Sequence, residues 1–134
     1  MEPVKVVMRY ADGRIIKGYT SDFLPTKLLF HARPVESAPT DRGVEVSVKE
    51  LKAIFFVKDF EGDPSHNDYR DFLPGRHFPG RKVAVTFADG EKLVGATLGY
   101  DPGRLGFFIT PSDTESNNLR VFVVSAAVKD FQYL

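Results

Sequence analysis

One register runs through this chain. From Tyr10-Ala11-Asp12-Gly13, echoed as Phe87-Ala88-Asp89-Gly90, residues 77 positions apart keep matching without a gap. Gly18 falls on Gly95, Thr20 on Thr97, Pro25 on Pro102, Leu28 on Leu105, Phe30 on Phe107 and Pro34 on Pro111. Val44, Val46 and Lys52 then fall on Val121, Val123 and Lys129. A self-match this long means one supersecondary unit used twice, so whatever fold serves residues 1–60 has to serve again for residues 81–134.

Each copy reads as strands punctuated by turns. Val4, Val6, Met8 and Tyr10 alternate with Lys5, Val7 and Arg9, the pattern of a strand with one strongly buried face. Asp12-Gly13 and Asp89-Gly90 supply the dipeptide that tolerates positive φ in a tight hairpin. Gly18 and Gly95 sit inside the second strand, where a glycine weakens pairing unless a bend or a close backbone approach requires it. Pro25 and Pro102 precede a third strand, 27–33 or 104–110, and a polar loop leads to a fourth, 44–48 or 120–124. Residues 49–51 and 126–128 fit one 3₁₀ turn, and a last strand runs over 52–60 or 129–134. The reading is all-β: two tandem five-stranded SH3-like barrels related by pseudo-symmetry. Residues 61–80, with Pro64, Pro74 and Pro79, form a linker whose aromatics Tyr69, Phe72 and Phe78 predict packing along the barrels.

Two runs, Ile54-Phe55-Phe56-Val57 and Phe107-Phe108-Ile109, are apolar on both faces. One face fills a barrel; the other packs on the sister barrel or the linker, or forms a patch for a partner or a second chain. In a chain of 134 residues, 43% hydrophobic and 27% charged, a packed core is available, but units this small lean on one another.

The pattern resembles the Sm-like branch of small barrels, whose first motif runs Asp-Gly-Arg, then Gly, an aromatic residue, Asp and an apolar strand. The first copy offers Asp12-Gly13-Arg14, Gly18, Phe23 and Leu28; the second offers Asp89-Gly90-Glu91, Gly95, Tyr100-Asp101 and Leu105. The resemblance extends to bacterial small-barrel proteins and implies strand-edge assembly between fourth and fifth strands, or RNA binding. The Sm-like RNA readers are absent: residues 24–28 read Leu-Pro-Thr-Lys-Leu without the usual Asn, and Ser47-Val48 and Val124-Ser125 replace the Arg-Gly pair.

Chemistry is otherwise sparse. With no cysteine, thiolate chemistry and disulfides are excluded. Asp63, His66 and Asp68 make a weak metal pattern that an ordinary polar turn explains better. Asp12 and Asp89 are accounted for by their turns, and no nucleophile elbow, P-loop or dinucleotide fingerprint occurs. The expectation is a protein that is not an enzyme and has no cofactor or metal. Eighteen Lys and Arg balance eighteen Asp and Glu, which disfavours a strong nucleic-acid binder. Tyr69, Arg70, Phe72, Arg76, His77 and Phe78 are the candidate partner-binding cluster, since Arg presents a fork to anions. No stretch approaches membrane-spanning length, and the cytoplasm is the expected location. The expected function is a non-catalytic interaction module that binds a protein partner or assembles with itself; the alternative is weak binding of RNA or another anionic polymer.

Overall fold

A computed structural model describes residues 3–35, 43–60, 80–112 and 117–134. The first half contributes β1 (Val4–Tyr10), β2 (Ile15–Thr20), β3 (Leu29–Pro34), β4 (Val44–Ser47) and β5 (Leu51–Val57), with a 3₁₀ turn at Val48–Glu50. The second contributes β6 (Arg81–Phe87), β7 (Lys92–Thr97), β8 (Gly106–Pro111), β9 (Asn118–Val124) and β10 (Val128–Tyr133), with a 3₁₀ turn at Ser125–Ala127. The offset read from the sequence carries β1 onto β6, β2 onto β7, β3 onto β8 and one 3₁₀ turn onto the other, residue for residue. β4 falls on the last four residues of β9, and β5 on β10. Pairing repeats as well: Val6↔Phe56, Met8↔Ile54 and Tyr10↔Leu51 recur as Val83↔Tyr133, Val85↔Phe131 and Phe87↔Val128.

Local chemistry explains the turns. Gly13 and Gly90 adopt φ of 99° and 93°, and their N–H groups donate to the carbonyls of Tyr10 and Phe87. The Asp12 carboxylate accepts the backbone N–H of Arg14, and Asp89 accepts that of Glu91. Gly18 and Gly95 are the close approaches their strand positions required: a Cβ on Gly18 would lie 2.6 Å from the carbonyl oxygen of Arg33.

The strands form one antiparallel sheet in the order β10-β6-β7-β8-β9-β5-β1-β2-β3-β4. The chain is all-β as the sequence predicts, but the pairing gives one open sheet in place of two separate five-stranded barrels. Among the described residues no strand pairing closes a barrel; each half keeps its own order, and the two share a ladder through β5 and β9. The reason lies in β5, all seven of whose residues are buried. A core private to the first half could cover only one face of that strand.

Two cores result, and each draws on both halves. Val6, Met8, Phe30, Val46, Ile54 and Phe56 pack with Phe122 and Val124 of β9. Val83, Val85, Phe107, Ile109, Val121 and Val123 pack with Ala53, Phe55 and Val57 of β5. Because neighbouring side chains point to opposite faces, β5 and β9 each feed one face to one core and the other face to the second. Burying one such side chain contributes about 1.5–3 kcal/mol, so the halves stabilise each other directly. The sister half is therefore what covers the second apolar face of β5, one of the alternatives open from the sequence.

Candidate interaction surface

The predicted partner-binding cluster, Tyr69, Arg70, Phe72, Arg76, His77 and Phe78, lies outside the described residues, as do Asp63, His66, Asp68 and the packing of the 61–80 linker up to residue 79. The described residues instead bring together a joint between the halves and two open strand edges that correspond to it.

At the joint, β5 and β9 run antiparallel with Ala53 opposite Val123, Ile54 opposite Phe122 and Phe55 opposite Val121. Phe23, in the loop before β3, reaches across to Phe108 and Phe122, with ring centroids 6.3 and 5.1 Å away. Such edge-to-face rings add about 0.5–1.5 kcal/mol beyond the area they bury. Arg120 lies over the rings of Phe56 and Phe108 at 4.5 and 4.4 Å, one ring from each half.

Charge closes the rim of the joint. Lys52 occupies the irregular step of the β1–β5 ladder, between Ala53↔Arg9 and Leu51↔Tyr10, and only 5% of its surface is exposed. Its Nζ donates to Asp89 Oδ2 at 2.7 Å, lies 3.3 Å from Glu91 Oε1 and sits over the Phe87 ring. Arg9, directly opposite Ala53, donates from Nη1 to both carboxylate oxygens of Glu91 at 3.1 and 3.2 Å. Cations of the first half thus grip the β6–β7 turn of the second. A buried ammonium needs such partners, since an unpaired one would be expensive to desolvate.

The hydrogen bond from Lys52, followed by that from the Glu91 N–H, holds the Asp89 carboxyl below its ordinary value. A carboxylate with a lowered folded pKa adds stability above its unfolded pKa and loses that contribution as pH falls through the folded one. Lys52→Met keeps the contact with Phe87 and removes the main cause of the shift. Urea unfolding from pH 7 down to pH 3 is expected to show a shallower acid loss of stability for this variant than for the parent; equal slopes would sever Asp89 from the clamp.

Sequence reasoning placed Asp89 in a turn and paired Lys52 with Lys129 in the repeat, but did not bring the two positions together. One signal was present: Glu91 stands where the first copy has Arg14. The reversed charge goes with different partners: Arg14 pairs with Asp12 of its own turn, whereas Glu91 accepts from Arg9 of the other half.

The open edges are β4 and β10, the two ends of the ladder. Among the described residues, neither has a strand beside its outer side. Both carry exposed apolar side chains: Val44 on β4, Tyr133 on β10 and Leu134 just beyond. A cleft of about 520 Å³ opens between Pro25 of the first half and the β7–β8 loop of the second, with Leu98, Tyr100, Asp101, Arg104 and Phe107 in its wall.

The sequence matches, over residues 2–134, a family described as "Family of unknown function (DUF6982)". The chain belongs to that family. Since the DUF6982 match spans both halves and the joint, the duplicated sheet is covered by it as a unit. No curated protein and no solved structure matches the chain.

Proposed function

We propose that the protein is a non-catalytic interaction module that assembles with itself through the open edges of its sheet, β4 and β10, and that its halves are duplicated Sm-like small-barrel units sharing one ladder. The observation that carries this reading is the β5–β9 joint. Within a single chain, the fifth strand of one unit already takes the fourth strand of another along its edge. The fifth strand of the second unit, β10, and the fourth strand of the first, β4, are left with the same backbone groups and, among the described residues, no strand to receive them. Unpaired edges template further pairing unless something blunts them, and main-chain hydrogen bonds of this kind supply affinity in strand addition.

Supporting the Sm-like part of the reading are the strand order β5-β1-β2-β3-β4, repeated as β10-β6-β7-β8-β9, and the 3₁₀ turn before each fifth strand. Sedimentation velocity over a wide range of concentration tests the assembly. The weight-average sedimentation coefficient is expected to rise with concentration, while amide exchange slows in Val44–Ser47 and Val128–Tyr133. A monomer at every concentration with unchanged edge exchange overturns the reading. Salt-steep binding of single-stranded RNA by such a monomer would put the anionic-polymer alternative in its place.

A further inference from the structure

We infer that the occupant of each edge is a second copy bound head to tail, β10 of one chain against β4 of the next, in the register of the internal joint and with a reversed ion pair at its rim. The inference rests on the self-assembly reading and specifies its geometry. Carrying the β5–β9 register over by the repeat offset places Asp130 opposite Val46, Phe131 opposite Glu45 and Gln132 opposite Val44 of the neighbouring copy.

Charge complementarity supports this register. At the internal joint Arg9, opposite Ala53, holds Glu91 on the partner unit's turn. The equivalent pair on the second unit is Thr86 opposite Asp130, and the equivalent turn residue is Arg14. Arg9's own counterpart is the neutral Thr86, but the residue opposite it is now charged: Asp130 stands where the first unit has Ala53, so the rim offers an anion to Arg14 between chains where it offers a cation to Glu91 inside the chain. The second contact keeps its sign, because Lys52 with Asp89 becomes Lys129 with Asp12. Lys129, Asp130, Asp12 and Arg14 are all exposed in the single chain, where Asp12 and Arg14 pair with each other at 2.9 Å. Four charges would then alternate across the rim of the new joint.

The joint between chains is also wetter than the internal one. Ala53 and Phe55, buried inside the chain, are replaced by Asp130 and Gln132. Phe23, which reaches two phenyl rings, is replaced by Tyr100, which would meet His31 and Glu45. Such an interface is reversible and sensitive to salt. A strand edge that meets a different edge of the next copy is heterologous, so successive copies close into a ring or continue as a filament.

Two measurements test this on the full chain. By sedimentation, Asp130→Arg is expected to weaken association about tenfold or more, since it sets Arg against Arg14; adding Arg14→Asp to the same chain is expected to restore it. For the register, Gln132→Cys and Val44→Cys are made in separate chains, the parent having no cysteine. Directly opposed antiparallel residues sit within disulfide reach, so mixing the two under oxidation is expected to yield a mixed dimer, and neither variant alone should link to itself. If the parent associates but the double charge swap fails to rescue, or the mixed pair fails to link, the head-to-tail register is wrong while self-assembly stands. If the parent does not associate at all, the self-assembly reading falls first and this inference falls with it.

Discussion

Phe122→Ala is expected to destabilise the whole sheet by about 3–5 kcal/mol, the range for truncating a fully buried phenyl ring. Phe122 belongs to the second half by sequence, yet its side chain is fully buried in the core that β1, β3 and β4 of the first half build. Its ring meets Phe23 and Phe108 at 5.1 Å each, and it stands opposite Ile54 in the ladder. The cavity would therefore open in the first half when a residue of the second is cut. Amide exchange should speed up in β1 and β3 as well as in β9, and urea unfolding should remain a single transition at a lower midpoint. Loss confined to the second half, or two separate transitions, would mean that the cores are independent.

Gly95→Ala is the second large effect. A Cβ there would run into the carbonyl oxygen of Thr110 and the Ile109 side chain. Gly95 pairs with Pro111 and Ala96 with Thr110, so that carbonyl belongs to the β7–β8 ladder and cannot retreat without breaking it. Overpacking of this kind costs about 1–3 kcal/mol and occasionally more, well above the few tenths to about 1 kcal/mol that Gly→Ala returns by restricting the unfolded chain. Gly99→Ala is the control: an added Cβ meets nothing within 4 Å, and its unfolding midpoint should stay close to the parent's. A stable Gly95→Ala protein would show that the close approach is not required.

Local chemistry was largely legible in the sequence, and partners were not. The Asp-Gly turns, the glycines inside β2 and β7 and the 3₁₀ turns all follow from residue types whose backbone needs are local, and the repeat then doubled every assignment. Boundaries moved by a residue or more, as with the fifth strand, read as 52–60 and found at Leu51–Val57. Period-two alternation says which face of a strand is buried, but not which strand lies beside it. It showed that β5 is apolar on both faces, yet could not choose β9 as its neighbour. The same gap hid Lys52 and Asp89, which are 37 positions apart with no pattern linking them. The charge switch at Arg14 and Glu91 was visible in the aligned copies, but it gained meaning only once Arg9 was seen to reach Glu91.

Holding both units in one polypeptide has a consequence for how such joints can evolve. An assembly of identical single units carries one sequence for every contact, so any change that tightens one seam tightens them all. Here the seam inside the chain and the seam proposed between chains are written in separate residues, Ala53 and Phe55 in one and Asp130 and Gln132 in the other. Under that proposal, duplication lets one become a lasting weld of packed rings while leaving the other free to drift toward a contact that can be made and undone.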